Sequence, residues 1–189
     1  MYATPEISGC SLRARLGQAL VYLEMPRRQP IPLWTIRQTF TLGMMRLPTR
    51  QEINPFGDLD GRDACEHFFG KDLEEAEALF RENDLYYQGD LLWMGPSAFR
   101  FYLPAVFRFV HRSTDDISEF VSHFSNTLAF RLKHEADELT PVASQLAEFC
   151  SYVIGHWSKF SDGAAAYGDV RARYERLRIA FSGMCDKAE

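Results

Sequence analysis

Apolar residues recur along most of this chain at helical intervals, and nowhere do they alternate with polar ones in the way a half-buried strand requires. Leu73, Ala76, Leu79 and Phe80 define one stripe, which opens at Asp72 with Glu75 placed for a capping box and has an acidic first turn. Ile117, Phe120, Val121, Phe124 and Leu128 define a second, from a start near Ser113–Asp116 and running on through Leu132 towards Leu139. Val142, Leu146, Phe149, Cys150, Val153, Trp157 and Phe160 define a third, entered through Thr140-Pro141 and ended by Ser161-Asp162-Gly163. Val170, Tyr174, Leu177 and Phe181 define the last, capped by Asp169 and stopped at Gly183.

The segment from Ser97 to about Val110 differs from these. Gly95-Pro96 opens it, and Phe99, Phe101, Tyr102, Leu103, Val106, Phe107 and Phe109 leave almost no polar face. A helix that is apolar all round is buried all round. Pro104 in its middle predicts a kink or a fresh helix start, and it deprives the Arg100 carbonyl of its usual amide partner. The pattern predicts an all-α fold: a compact bundle of about five to six helices around a central aromatic helix, with an N-terminal extension.

Three regions follow from composition. Residues 51–63 are turn-rich and read as a linker, and 64–183 read as the helical domain. Residues 1–50 are a basic extension, helical or poorly ordered, in which Met25–Pro32 is too rich in proline to be helical throughout. Three origins suit that extension: a targeting peptide, a mis-set start with Met44 or Met45 as the true one, or a helical arm docked on the body.

Charge divides along the same boundary. Residues 1–50 hold seven Arg against two Glu, a surplus of +5, so the rest carries −10 within a net charge of −5. An acidic body repels nucleic acid and anionic lipid and suits a basic protein partner. No run of about 18 apolar residues offers a membrane span. The four cysteines, Cys10, Cys65, Cys150 and Cys185, form no C-x-x-C pair, which points to reduced thiols in a cytoplasm.

The familiar chemical motifs are missing. Gly70-Lys71 lacks the upstream glycine of a phosphate loop, and Asp72 stands where a Ser or Thr would hold magnesium. Asp58-x-Asp60 is not continued as a calcium loop, since Asp63 and Phe69 occupy the glycine and glutamate positions. His134-Glu135-x-x-Glu138 lacks the second histidine of a zinc protease, so His134, Asp137 and Glu138 read as a solvated face. E-x-x-H does not occur twice, and Gly95-Pro96-Ser97 is no nucleophile elbow. Cys150 sits on an apolar stripe and reads as packed and inert.

The string Ala98-Phe99-Arg100-Phe101-Tyr102-Leu103-Pro104-Ala105 resembles the hallmark of a bacterial family that carries a domain-of-unknown-function label. Gly70-Lys71-x-Leu73-Glu74-Glu75-Ala76 and Tyr87-x-x-Asp90-Leu91-x-x-Met94 resemble its flanking segments. The resemblance spans roughly residues 64–182. It implies a small helical bacterial protein, and it gives no established activity, cofactor or catalytic residue to carry over.

These readings predict a non-enzymatic binding or interaction module of a bacterial cytoplasm, regulatory or toxin-neutralising, with no cofactor and with a basic partner surface. The candidate interaction residues are Arg100, Tyr102 and Pro104 at the proline-bearing helix, and Arg171 and Arg178 two turns apart on the last helix. Solvation of that last face is the simpler expectation, because exposed charge pairs contribute little. The alternative is an enzyme with a site near Arg100, His111, Asp115 and Asp116.

Overall fold

The computed structural model describes residues 46–160 and 169–185; the expectations for residues 1–45, and for the helix stop at Ser161-Asp162-Gly163, lie outside them. Within the described residues the fold is all-α, with no strand. The helices are α1 (Arg50–Ile53), α2 (Leu59–Phe68), α3 (Leu73–Glu82), α4 (Asp84–Trp93), α5 (Pro96–Arg112), α6 (Ser118–His134), α7 (Ala136–Leu139), α8 (Ala143–Gly155) and α9 (Val170–Cys185). Short 3₁₀ turns at Thr140–Val142 and Trp157–Lys159 flank α8. None of these helices is long and apolar enough to cross a membrane.

The central helix is α5. Phe99, Phe101, Tyr102, Leu103, Val106, Phe107 and Phe109 are all buried on it, but the helix is not buried all round, because Arg100, Pro104, Arg108 and His111 share one partly exposed face. Pro96 occupies its first turn, and the helix runs through Pro104 as one element, without the fresh start that a proline allows. The aromatic side chains form a continuous path across the core. Tyr102 meets Phe68 (5.0 Å between centroids), Phe68 meets Phe80 (5.8 Å), and Phe80 meets Phe109 (6.0 Å). The path continues through Phe120 (5.0 Å from Phe109), Phe124 (5.9 Å), Phe149 (5.6 Å) and Tyr174 (6.2 Å). It links α2, α3, α5, α6, α8 and α9, and each such pair adds about 0.5–1.5 kcal/mol beyond the area it buries.

Local chemistry sets the helix boundaries. Asp72 accepts from the amides of Glu74 and Glu75 while the Glu75 carboxylate accepts from the Asp72 amide, closing the expected capping box. Asp169 caps α9 by accepting from the Ala172 amide at 3.0 Å. α6 starts at Ser118, later than expected, because Asp116 accepts from the Ser118 amide at 3.0 Å. It ends at His134, and α7 supplies the last turn to Leu139. Gly183 does not stop α9, which continues to Cys185.

The segment 51–63 is not a linker. It contains most of α1 and the start of α2, and Ile53 is fully buried in the core. Thr49 and Glu52 close a capping box around α1, and Arg46 pairs with Glu52 at 2.7 Å. The Gly95 amide donates to the Ile53 carbonyl at 3.0 Å. A Cβ on Gly95 would lie 2.5 Å from the Glu52 carbonyl, so glycine is what permits this close approach. Residues 46–53 are thereby joined to the body, across the boundary expected at residue 50.

Candidate functional site

Two charged residues sit where the apolar stripes call for hydrophobes. Extending the α6 stripe three residues past Leu128 reaches Arg131, and four residues past Leu73 on α3 lies Glu77. Arg131 is fully buried. Its Nη2 donates to the carbonyls of Leu91 (2.8 Å), Leu92 (3.2 Å) and Met94, and its Nε donates to Leu91 (3.3 Å). Its Nη1 pairs with Glu135, and its guanidinium lies 4.1 Å from the centre of the Phe99 ring. The last carbonyls of a helix have no partner within it and carry the negative end of its dipole. Arg131 therefore caps the end of α4 from α6. Lys159 does the same for α5, donating to the carbonyls of Val110 (3.0 Å) and His111 (3.3 Å). Glu77 is buried and receives Arg112 (3.2 Å) and Arg81.

A histidine–carboxylate pair joins α2 to α4. His67 Nδ1 lies 2.8 Å from Asp90 Oδ2, and His67 Nε2 lies 3.4 Å from the Tyr86 hydroxyl. Burial pushes the Asp90 carboxyl up to about 6, and the hydrogen bond from His67 holds it lower than burial alone would. Tyr86 and Tyr87 pack against the His67 ring at 5.1 and 5.2 Å. Buried side chains make further polar contacts within the core. Tyr174 donates to the Val121 carbonyl (2.8 Å), and Gln88 donates to Thr127 (2.9 Å).

A cleft of about 290 Å³ opens where the α3–α4 junction faces the α5–α6 junction. Phe80, Phe109 and Ile117 form its apolar floor, and Glu82, Asp84, Asp115 and Asp116 place four carboxylates around it. Arg81 also lines it, but its guanidinium is paired with Glu77. Burial raises the Asp84 carboxyl, whereas hydrogen bonds from Ser118 lower that of Asp116.

The residues singled out from the sequence fall in different places. Arg100 pairs with the Glu138 side chain and donates to its carbonyl (2.8 Å), tying α5 to α7. Tyr102 donates to the carbonyls of Phe68 (2.7 Å) and Lys71 (3.1 Å), so its hydroxyl does not serve the Arg100 carbonyl. Pro104 lies on the α5 turn that follows Arg100. Arg171 pairs with Glu175 at 3.4 Å on the solvated face of α9, where Arg178 is exposed too. His111 stacks on Tyr152 (4.9 Å) eleven residues along α5 from Arg100, a rise of about 16 Å. Asp115 and Asp116 belong to the acidic cleft. Arg100, His111 and the two aspartates are thus not assembled into one site. Cys150 is fully buried, with its thiol pushed up to about 12 by desolvation. Among the described residues no group of His, Cys, Asp and Glu is placed to hold a metal ion. Compared with known proteins, the chain matches no family model, no curated protein and no solved structure, so the resemblance of residues 64–182 rests on its own residues alone.

Proposed function

We propose that this chain is a non-catalytic protein-binding module of a bacterial cytoplasm, regulatory or toxin-neutralising, whose partner presents a basic surface. The observation that carries this reading is the cleft between the α3–α4 and α5–α6 junctions. Its four carboxylates outnumber the one cation that lines it, Arg81, whose guanidinium is turned to Glu77, and its floor is aromatic and aliphatic. Such a cleft suits the long stem and cationic head of an arginine or lysine from a partner: the stem covers the apolar floor while the head meets the carboxylates. The acidic body around it, at −10 beyond residue 50, steers a basic partner towards it. The buried thiols Cys65 and Cys150 support a reducing compartment. The alternative of an enzyme near Arg100, His111, Asp115 and Asp116 draws no support from their separation.

The test is fluorescence anisotropy with a labelled arginine-rich peptide on three forms of the full chain. One is unchanged, one carries Glu82→Lys and Asp115→Lys in the cleft, and one carries Asp137→Lys and Glu148→Lys elsewhere on the surface. All four positions are exposed. The cleft variant should bind about tenfold more weakly than the surface control, which has the same net charge. Equal weakening by the two variants would mean that only net charge matters, and the proposal would fall.

A further inference from the structure

A second surface has the opposite charge. α6 and α9 run side by side in the same direction, since Tyr174 bonds to Val121, Arg173 to Ser125, and Leu177 and Ala180 share a groove with Leu132 and Lys133. That groove measures about 330 Å³. Leu132, Leu177 and Ala180 contribute to its apolar floor, its rim is formed by Lys133, Arg173 and Arg176, and among the described residues no carboxylate lines it. The same two helices each carry one large exposed hydrophobe near these cations in sequence: Phe130, three residues before Lys133, and Ile179, three residues after Arg176.

The structure assigns this groove to an amphipathic helix of a partner protein, with a short apolar stripe on one face and acidic residues two turns apart at the two ends of that stripe. The placement of the cations selects that occupant. The Arg173 guanidinium is fixed at Ser125, and Lys133 follows eight residues later on α6, about two helical turns or about 12 Å along its axis. A single-headed anionic amphiphile would satisfy one end and leave the other cation facing its tail. A helix with carboxylates at i and i+7 meets both ends while its i+3 and i+4 hydrophobes cover the floor. Arg173 is held in place by donating to Ser125 Oγ at 2.8 Å, which leaves the rest of its five-donor fork for a carboxylate. This site is separate from the acidic cleft, and neither proposal depends on the other.

The experiment uses the full chain and a labelled helical peptide of about four turns, with leucines along one face and glutamates two turns apart. A second peptide carries lysines in place of those glutamates. The expected result is saturable binding of the acidic peptide only. Lys133→Glu with Arg176→Glu, both at exposed positions, should weaken it at least about tenfold with the melting temperature unchanged, and should create binding of the lysine peptide. The assignment is overturned if the acidic peptide does not saturate, if the variant binds it equally, or if the lysine peptide fails to gain affinity for the variant. It is also overturned if dodecanoate displaces the peptide, which would make the groove a site for anionic amphiphiles. Self-association of the unchanged chain that this variant abolishes would make the occupant a second copy and likewise overturn it.

Discussion

Arg131 shows how one residue can break a sequence pattern and hold a fold together. A charged group taken out of water is stable only when its donors are satisfied, and here the carbonyls of Leu91, Leu92 and Met94, the Glu135 carboxylate and the Phe99 ring satisfy them. Those carbonyls have their own need, because they lie at the end of α4 where intrahelical amides run out. Replacing Arg131 with methionine keeps much of the volume and removes every donor. The expected loss is about 3 kcal/mol of unfolding free energy, from buried carbonyls left unpaired and Glu135 left without its partner. Arg131→Lys should lose less, since one donor cluster remains although the fork is gone. Urea denaturation of the two variants measures both, and a loss below about 1 kcal/mol for the methionine variant would show that solvent reaches these carbonyls. Glu77 follows the same logic at the other charged position on an apolar stripe, where Arg112 and Arg81 converge on it.

At the scale of elements, the contact between α2 and α4 carries a pH dependence. The Asp90 carboxyl is raised from 3.8 to about 6 in the fold, so the folded chain keeps a proton that the unfolded chain releases between those values. Its contribution to stability is full below about pH 4 and is lost as the pH rises to about 6. The melting temperature of the natural chain relative to Asp90→Asn should therefore fall across that window and then level off. Thermal melts at pH 4, 5, 6 and 7 measure it, and a difference that stays flat or grows with pH would contradict the burial of this carboxyl. Periodicity did not reveal these two helices. At the start of α2 the residues Gly57, Asp58, Asp60, Gly61 and Asp63 resemble a turn, and the hydrophobes it buries, Ala64, Cys65 and Phe68, are confined to its second half. In α4 the apolar residues fall into two separate runs, Leu85–Tyr87 and Leu91–Trp93, with Gly89 between them. Both helices are held by tertiary contacts and by the caps of Asp58 and Asn83 rather than by a stripe of their own. The long helices α5, α6, α8 and α9 were legible because each carries a stripe spanning at least three turns. Asp115 and Asp116 were legible as candidates. Their neighbours Glu82 and Asp84 were not, since only the fold brings the two junctions together.

Across the whole molecule, the part of the chain that carries −10 is itself divided by charge in space. Four carboxylates crowd one cleft, while three cations rim a groove between α6 and α9. Both surfaces are built on elements whose positions are fixed from behind: Ile117 and Phe120 anchor the α5–α6 junction in the core, and Tyr174 ties α9 to the Val121 carbonyl. Surfaces held this firmly bind with little ordering cost, which is the physical basis for reading them as preformed recognition sites. The central claim is that the acidic cleft is where a basic partner docks. Photo-crosslinking tests it most directly: an arginine-rich peptide bearing a benzophenone is bound to the full chain at physiological salt, irradiated, and its adducts are mapped by mass spectrometry. Adducts confined to residues 80–84 and 113–117 are the result expected from the cleft geometry. Adducts spread over other acidic faces, such as those around Asp137 and Glu148, would contradict it.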